Sequence, residues 1–585
     1  MVKKVSELNL VKSALRFALV GFVASLAACG GGSSSPSAQK ASQAGNPSGG
    51  QQSGASNVKL FTEVSQSTNI SYYQGYKNSG SLSDVQKFCG GVASGDFNND
   101  GLTDLFIVRG DVGPHLLYKN EGNNQFTEMA AEVGLAIADQ MGCGPTFADV
   151  DGDGDLDLFI GGIEGHRNYL MLNSINENGE QVFIDATEQW GLKNLAAQHT
   201  ISSSFGDYDG DGWLDLFVAH WGTPARIEKQ HLFRNNAGAG FINVTAQVGL
   251  ASEIIARPTS NATLGENHDY SFLGAFADIN NDGYTDLLMV SDFGTSKVFI
   301  NSGSGSFYNA NESAIKDENG MGSAVGDIDN DGDLDWFVSA ILTFDSPGNR
   351  LYQNQTNDIG ALQLFSDTTN TMGVQDGGWG WAACLADFNL DGYLDIFHVN
   401  GWDAALIDLD FSKDRSRLFI SEGATNQTIR FNEVARENGI ISTKHGRGVV
   451  CFDADNDGDT DLFVLGVGVE PFEFYQNNTF GGSANQPNNY LTVNLQGLAP
   501  NTQAAGARIF VRTQNTEQMR EIQIGSNFIS QNPVQQVFGL GQTDVVSEVL
   551  IKWPDGRSRS LINVAANQTI TVTHPDVNTR NEFKQ

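Results

Sequence analysis

The sequence predicts an all-β fold, a seven-bladed β-propeller with acidic hairpin loops followed by a small C-terminal β-sandwich or barrel domain. A nine-residue acidic pattern occurs seven times, and successive copies start 49 to 71 residues apart, the size of a four-stranded blade plus its loops. Short apolar runs flank each copy. With 40% hydrophobic residues and 36 Phe, the chain can bury a core in spite of its formal charge of −35.

The acidic pattern reads DFNNDGLTD in its first copy and DVDGDGDLD in its second. Runs such as LFIV, LFVA and LFVL follow the last Asp, and small residues or Phe precede the first. Short β-branched and aromatic runs bounded by Gly and Asp are typical of buried strands, so each copy is predicted to join two strands of a hairpin. We number these acidic loops 1 to 7, and they begin at Asp96, Asp149, Asp207, Asp278, Asp327, Asp387 and Asp453.

Two further motifs keep the same period. The segment F-x-x-[VA]-x-x-x-x-G-[LI] has a copy at Phe61, before the first acidic loop, and no copy after the seventh. We therefore predict that this N-terminal strand completes the last blade, near Asp453, and closes the ring so that no sheet edge stays exposed. A strand that ends in Asn also recurs, at Asn120, Asn173, Asn235, Asn301, Asn354 and Asn477.

The acidic loops are predicted to hold calcium, about seven ions in all. Positions 1, 3, 5 and 9 are Asp or Asn, and position 6 is always Gly, which permits a sharp turn. Side-chain oxygens from these positions and the backbone carbonyl of position 7 form a hard-oxygen set for Ca²⁺, whereas Mg²⁺ demands stricter geometry, and no Cys or His is present for zinc or copper. A metal-free turn would leave up to five carboxylates repelling one another. An EF-hand would need Glu at position 12 and flanking helices.

The predicted metal ligands of the seven loops are Asp96, Asn98, Asp100, Leu102, Asp104, Asp149, Asp151, Asp153, Asp155, Asp157, Asp207, Asp209, Asp211, Trp213, Asp215, Asp278, Asn280, Asp282, Tyr284, Asp286, Asp327, Asp329, Asp331, Asp333, Asp335, Asp387, Asn389, Asp391, Tyr393, Asp395, Asp453, Asp455, Asp457, Asp459 and Asp461.

The N-terminus carries a targeting signal. A basic start is followed by an apolar run over residues 17–28, too short to span a bilayer comfortably. The run ends in Leu-Ala-Ala-Cys-Gly, which resembles the lipobox of bacterial lipoproteins and implies a lipid on Cys29; an ordinary signal peptide is the alternative. We predict a signal segment over 1–29, a flexible linker over 30–58, the propeller over 59–485, the second domain over 486–575 and a tail over 576–585.

These motifs resemble a known family. The F-[AG]-D-x-D-x-D-G-x-x-D-[LI]-F copies are similar to the FG-GAP/VCBS repeats of integrin α-chain propellers and of secreted bacterial proteins. YLTVNLQG, AAGARIFV, FGLGQ and VLIKWPDGRSRSL resemble an ASPIC/UnbV domain. The combination is similar to the bacterial relatives of cartilage acidic protein. The resemblance implies a calcium-binding propeller in an extracellular setting, and a role in adhesion or surface interaction rather than a reaction.

Two groups of residues outside the loops are candidates for further roles. Export permits disulfides, and Cys89 and Cys143 sit just before consecutive acidic loops, so a bridge between neighbouring blades is predicted, with buried free thiols as the alternative. The other group lies before the inner strands, where a funnel could hold a ligand or metal or merely be hydrated. Its members are His199, His268, His445, Trp379, Trp381 and Arg447.

The leading functional hypothesis is a non-catalytic binding, adhesion or scaffold module for a protein or glycan, lipid-anchored to the bacterial cell envelope. The alternative is an enzyme or enzyme accessory that uses the central funnel; polar groups converging there would favour it, and an apolar filling would favour binding. No nucleophile elbow, phosphate-binding Gly loop, HExxH or CxxC is present. With 69 acidic and 34 basic residues, nucleic acid and anionic membrane surfaces are disfavoured as partners.

Overall fold

The computed structural model describes residues 59–78, 80–175, 182–195, 199–224, 230–254, 268–344, 346–357, 363–402, 405–406, 409–423, 429–466, 472–480 and 487–577. The predicted signal segment, the lipobox cysteine, the linker and the end of the tail lie outside these residues. Within them, no helix has the length and apolarity required to cross a membrane.

The described strands of residues 61–477 form seven antiparallel four-stranded units, which we number 1 to 7 along the chain. Strand β1 (Phe61–Glu63) comes first. Units 1 to 3 then contain β2 (Gly91–Gly95), β3 (Asp104–Val108), β4 (Leu116–Asn120), β5 (Phe126–Glu128), β6 (Gly142–Ala148), β7 (Asp157–Gly162), β8 (Tyr169–Leu172), β9 (Ile184–Asp185), β10 (Thr200–Gly206), β11 (Asp215–Pro224), β12 (Leu232–Asn235) and β13 (Phe241–Asn243).

Units 4 to 7 repeat this order, and unit 6 adds a two-stranded hairpin, β24 and β25. Their strands are β14 (His268–Ala277), β15 (Asp286–Ser291), β16 (Lys297–Asn301), β17 (Phe307–Asn309), β18 (Gly320–Gly326), β19 (Asp335–Ala340), β20 (Arg350–Asn354), β21 (Phe365–Asp367), β22 (Gly380–Ala386), β23 (Asp395–Asn400), β24 (Ala405–Leu406), β25 (Leu409–Asp410), β26 (Arg417–Ser421), β27 (Phe431–Glu433), β28 (Gly446–Phe452), β29 (Asp461–Gly466) and β30 (Glu473–Asn477).

The prediction that the N-terminal strand completes the last unit is confirmed. β1 pairs antiparallel with β30, with Phe61 opposite Asn477 and Glu63 opposite Tyr475. The innermost strands β2, β6, β10, β14, β18, β22 and β28 contact one another in this cyclic order, and β28 returns to β2. The units therefore form a closed propeller-like ring, and closure by strand exchange joins the two ends of its chain.

Units 3 and 4 share one continuous sheet, which the sequence does not predict. β11 extends beyond its own unit and pairs with the start of β14, with Trp221 opposite Tyr270 and Thr223 opposite Asp269. The pairing also brings two buried side chains together. His231 Nε2 lies 3.1 Å from Asp269 Oδ2. Because β11 pairs with β14, units 3 and 4 form one eight-stranded sheet, whereas the other units form separate four-stranded sheets.

The recurring Asn at the strand end links each unit to the previous one. Asn235 Nδ2, for example, donates to the carbonyl of Leu214 in its own loop and to that of Val150 in the preceding acidic loop. Asn120 makes the same bond to Ala454 of unit 7 and so crosses the closure of the ring. Six of the seven units use Asn in this way, and unit 6 carries Ser421 at the corresponding position. The six linking residues are Asn120, Asn173, Asn235, Asn301, Asn354 and Asn477.

The C-terminal domain consists of two packed sheets. One has the order β34-β31-β37, with β31 and β37 parallel, and the other has the order β33-β32-β35-β36. Buried Val493, Ile509, Phe538, Val549 and Trp553 contribute to the core between them. The seven strands are β31 (Asn489–Gln496), β32 (Arg508–Arg512), β33 (Glu517–Glu521), β34 (Gln536–Gly541), β35 (Val545–Lys552), β36 (Ser558–Ala565) and β37 (Gln568–Thr573).

Helices are short and connect strands. α1 (Asp84–Phe88) begins with a capping box formed by Ser83 and Gln86, while α2 (Ala130–Val133) and α3 (Thr369–Met372) end at left-handed glycines. Two 3-10 turns, Ser65–Ser67 and Gly110–Val112, also connect strands. Immediately after α1, Cys89 forms a disulfide with Cys143, with their Cα atoms 5.3 Å apart. A second disulfide joins Cys384 and Cys451. Each bridge connects the inner regions of two adjacent units, units 1 and 2 in the first case and units 6 and 7 in the second.

Candidate metal centres

Acidic loop 2 shows how the nine-residue pattern folds. Asp149 follows β6, and Asp157 is the first residue of β7. The Asp149 carboxylate accepts backbone hydrogen bonds from Gly152 at 2.8 Å and Gly154 at 3.0 Å, and Asp153 accepts one from Asp155 at 3.0 Å. These bonds wind the backbone around the first carboxylate. The odd-numbered side chains therefore converge on one side of the turn.

Two loop positions have left-handed backbone in all seven copies. Position 6, the Gly identified in the sequence, has φ between 86° and 98°, and its N–H donates to the carboxylate of position 1. The left-handed backbone at position 4 is not among the features predicted from the sequence, although Asn and Gly, which occupy this position in all loops but one, favour it. Its residues are Asn99, Gly152, Gly210, Asn281, Asn330, Leu390 and Asn456, with φ between 57° and 75°.

Position 9 anchors every loop. In loop 3, one oxygen of Asp215 accepts the N–H of Tyr208 at 3.1 Å, and the other accepts the N–H of Asn235 at 2.8 Å. The same pair of bonds is present in all seven units. The last Asp is thus a structural clamp between loop and strand as well as a candidate ligand.

The structure brings together carboxylates that could hold metal ions in four of the seven loops. In each, three carboxylate oxygens lie within 4.8 Å of one another. The groups are Asp149, Asp151 and Asp157; Asp207, Asp209 and Asp215; Asp327, Asp329 and Asp331; and Asp453, Asp455 and Asp457. Loops 1, 4 and 6 have Asn at position 3, and its amide contacts the Asp at position 5, as in Asn98 to Asp100 at 3.0 Å.

Burial and mutual repulsion destabilise the ionised form of these carboxylates when no cation is bound. Burial raises the pKa of Asp104 to about 8, and that of Asp453 to about 7 with repulsion from Asp457 and Asp455 adding to the effect. The Oδ1 atoms of Asp209, Asp329 and Asp455, all at position 3, are buried and accept no hydrogen bond from the described residues. A divalent cation would supply the missing partner and displace the protons. The donor set therefore fits a hard metal ion.

The C-terminal domain packs directly on the acidic loops, a contact that sequence reasoning missed. Gln503 accepts the backbone N–H of Asp149 at 2.9 Å, and Thr502 donates to the carboxylate of the same residue. Arg508 lies 3.6 Å from the Asp278 carboxylate and 2.8 Å from that of Glu521. One domain thus contacts candidate ligand residues of acidic loops 2 and 4, which lie far apart in the sequence.

Loop 6 has a particular fit to this domain. Its position 4 is Leu390, a branched residue with φ 57°, where the other loops have Asn or Gly. A Cβ on Gly539 would lie 2.4 Å from the Leu390 Cα, and the Gly541 N–H donates to the Leu390 carbonyl at 2.9 Å. The strained backbone of Leu390 is therefore held by the docked domain, and only Gly fits at residue 539.

Residues 522–532, between β33 and β34, leave the C-terminal domain and enter the centre of the ring. The alternation of polar and apolar residues in REIQIG, residues 520–525, predicts a strand, but β33 ends at Glu521 because the chain turns into the ring. Ile529 accepts the N–H of Val92 of unit 1 at 3.2 Å, Ile524 accepts that of Phe205 of unit 3 at 2.9 Å, and Ser530 accepts that of Val449 of unit 7 at 3.0 Å. We call this segment the axial plug.

Phe528 of the axial plug packs into an aromatic cluster. The Phe528 ring lies 5.4 Å from Phe272 and 5.6 Å from Trp381, measured between ring centroids, and Phe88 lies 5.5 Å from Phe272. The guanidinium of Arg447 stands over Trp381 at 4.6 Å. The described part of the central funnel is therefore filled by buried aromatic side chains and by the chain's own second domain.

The three predicted funnel histidines contact different partners. His199 Nδ1 accepts the N–H of Glu164 at 3.1 Å, His445 Nε2 lies 3.1 Å from the Ser412 carbonyl, and the His268 ring lies beside Tyr270. Among the described residues, none of the side-chain clusters that could hold a metal ion contains one of these three histidines. Trp379 stacks on Trp402, with 5.1 Å between ring centroids.

The fold and the loops define a propeller-like repeat protein with carboxylate-rich turns that could hold metal ions. Residues 96–160, 149–218 and 278–338 match the FG-GAP-like repeat, and residues 497–579 match the ASPIC and UnbV domain. The chain is 25% identical over 528 residues to cartilage acidic protein 1 of Mus musculus. The alignment covers 83% of this chain and 74% of the mouse protein. It is 25% identical over 504 residues to the Homo sapiens protein, covering 74% and 72%. The chain is a homologue of cartilage acidic protein 1.

Solved structures also match, at lower similarity. The exotype rhamnogalacturonan lyase YesX is 12% identical with a TM-score of 0.34, covering 72% of this chain and 76% of that one. The V. cholerae biofilm matrix protein Bap1 is 11% identical with a TM-score of 0.28, covering 84% and 75%. Neither match bears on the activity of this chain.

Proposed function

We propose that this chain is a calcium-stabilised lipoprotein of the cell envelope that acts as a binding or scaffold module for a protein or glycan, without catalytic activity. The single observation that carries the proposal is the convergence of buried carboxylates in the acidic loops, in which Asp209, Asp329 and Asp455 each keep an oxygen without a hydrogen bond. Such a site has oxygen ligands only, and flexible oxygen-rich turns suit Ca²⁺ better than Mg²⁺, which holds its water and octahedral geometry.

Calcium would act as a structural ion. Each loop joins the innermost strand of a unit to the next strand, and its position 9 also fixes the third strand. An ion bound only by the folded loop adds its binding free energy to the stability of the fold. A stiff ring of this kind offers its outer loops to a partner without changing shape.

The filled funnel supports a binding module over an enzyme that works in the funnel. A funnel enzyme needs a solvent-reachable pocket with converging polar groups. Here Phe88, Phe272, Trp381 and Phe528 meet at the axis, and Arg447 packs on the aromatic rings. The surfaces left for recognition are the loops and the grooves of the outer face.

Membrane attachment is the part of the proposal that rests on the sequence alone, on the lipobox-like Leu-Ala-Ala-Cys29. A Cys29→Ser chain should lose the lipid mass and appear in the soluble envelope fraction, while the wild type stays with membranes. A wild-type chain that fractionates as soluble would contradict the anchor without affecting the calcium sites.

The experiment that tests the calcium role is a metal titration of the chain after chelation, followed by calorimetry and by capture of envelope partners in calcium and in EDTA. We expect calcium to restore the melting temperature and partner capture together. Asp455→Asn combined with Asp457→Asn should weaken one site, whereas the matched control Asp376→Asn removes an exposed carboxylate outside the loops and should change neither. Equal melting with and without calcium would refute the proposal.

A further inference from the structure

A groove of about 690 Å³ lies where the C-terminal domain meets acidic loops 1 and 2. One wall is formed by β31 and the turn after it, a second by the axial plug near Gln531, and the third by the two loops. Small-molecule sites typically measure ~300–1,000 Å³ and favour domain interfaces. The groove has the size and the place of a ligand site, and neither the acidic loops nor the funnel accounts for it.

The described residues that line the groove include no basic side chain. Their ionisable side chains are Asp96 and Asp153, and both belong to the acidic loops. Among these residues no Lys or Arg would compensate the charge of an anionic ligand. The remaining polar groups are amides and hydroxyls, interspersed with Leu102, Leu156 and Val534.

Amides in this groove fall into two groups. Gln503 and Gln531 are used in docking, because Gln503 accepts the N–H of Asp149 and Gln531 bonds to the backbone of Phe147 at 2.7 and 2.8 Å. Asn99, Asn494 and Gln535 have no hydrogen bond from their side chains to the described residues. These three amides come from acidic loop 1, from β31 and from the segment between the axial plug and β34. They face one cavity, and neither their donors nor their acceptors bond to the described residues.

We propose that this groove binds a neutral glycan, with the amides of Asn99, Asn494 and Gln535 pairing with its hydroxyl groups; the inference rests on the proposed binding function and names its ligand. A planar amide offers a donor and an acceptor side by side, which matches two adjacent hydroxyls. Apolar Leu102, Leu156 and Val534 suit the C–H faces of a sugar ring.

The test is isothermal titration calorimetry of the calcium-loaded full chain with a panel of neutral trisaccharides, namely maltotriose, cellotriose, mannotriose and chitotriose, and with trigalacturonate as the anionic counterpart. We expect at least one neutral sugar to bind and trigalacturonate not to. Asn494→Ala and Gln535→Ala should each weaken binding about tenfold, because each removes hydrogen bonds together worth about 1.4 kcal/mol. Asn515→Ala, an exposed amide far from the groove in the sequence of the same domain, is the matched control and should bind as the wild type does.

Three results would overturn the inference. They are binding of no neutral sugar, binding that survives both groove substitutions, and preferential binding of trigalacturonate or of selected extended peptides in competition. Circular dichroism and the calcium-dependent melting of each variant report folding separately. A chain that melts lower in EDTA and binds no sugar refutes the glycan site alone, whereas a chain indifferent to EDTA refutes the calcium role.

Discussion

The ring and the C-terminal domain solve the problem of stability in different ways. Residues 59–485 contain 61 acidic and 21 basic residues, whereas residues 486–585 contain 7 acidic and 8 basic residues. The ring places much of its excess charge in turns that the backbone closes around buried carboxylates, and the second domain relies on one apolar core between two sheets. The comparison teaches that cations should control the ring and leave the second domain largely indifferent.

Chelation should produce the largest difference between the ring and the C-terminal domain. In EDTA, the amides of the inner strands of the ring should exchange hydrogen much faster, while those of β32 and β35 in the core of the second domain should stay protected. Each site saturated at 100 times its Kd contributes about 2.7 kcal/mol, so several emptied loops should lower the melting temperature by more than ~10 °C. Hydrogen exchange with mass spectrometry measures both regions in one sample. Equal loss of protection in the two regions would contradict the comparison.

The pH dependence should also separate the loaded and the empty ring. Burial raises the pKa of Asp104 and Asp286 to about 8 and that of Asp453 to about 7, so the metal-free folded state holds protons that the unfolded chain releases near pH 4. Stability in EDTA should therefore fall as the pH rises from about 4 to about 8. In excess calcium the carboxylates are ionised by the metal and this fall should disappear. Melting curves against pH with and without calcium check it, and a rise in EDTA would contradict the assignment.

The axial plug connects the two regions, and Gln531 is its most buried polar side chain. Its side chain accepts the N–H of Phe147 and donates to the carbonyl of the same residue. Gln531→Ala leaves both backbone groups buried without a partner and should destabilise the chain by about 2–4 kcal/mol. Gln514→Ala, exposed in the same domain, is the control. Denaturant unfolding measures the difference, and equal midpoints for the two variants would show that the plug does not hold the ring.

Substitutions at the Asn links should change the free energy of unfolding least. One substitution should destabilise the chain and another should stabilise it. Asn235→Ala removes the bonds to the carbonyls of Leu214 and Val150 and should cost about 1–3 kcal/mol. Ser421→Asn in unit 6 should restore the corresponding bond to the carbonyl of Ile328 and stabilise the chain by about 0.5–1.5 kcal/mol. Calorimetry of the two variants checks the prediction. A destabilised Ser421→Asn chain would mean that unit 6 differs from the other units in more than this side chain.

Repetition explains how much of the structure follows from the sequence. The loops, the Gly at position 6 and the exchange of β1 recur as patterns, and local backbone chemistry is sufficient to predict them. The function of the recurring Asn was not predicted, because its bond to Val150 or Ala454 joins residues 85 and 334 positions apart. Such a partner leaves no periodic signal beside the Asn itself.

Segments that occur only once in the chain are the part of the structure that the sequence does not predict. REIQIG has the alternation of a strand, yet the chain enters the ring as the axial plug, because Ile524, Phe528 and Ile529 are buried among the ring's residues rather than in the core of the C-terminal domain. The extension of β11 onto β14 and the contacts of Thr502 and Arg508 with the acidic loops are likewise tertiary events. No spacing in the sequence announces a contact that occurs once.

The central claim is that the acidic loops are metal sites, and counting the ions tests it most directly. The purified chain, equilibrated with calcium and freed of excess, should carry about seven Ca²⁺ by native mass spectrometry and by atomic emission, one for each loop from Asp96 to Asp453. Retention of no calcium, with the same melting temperature before and after chelation, would contradict the account.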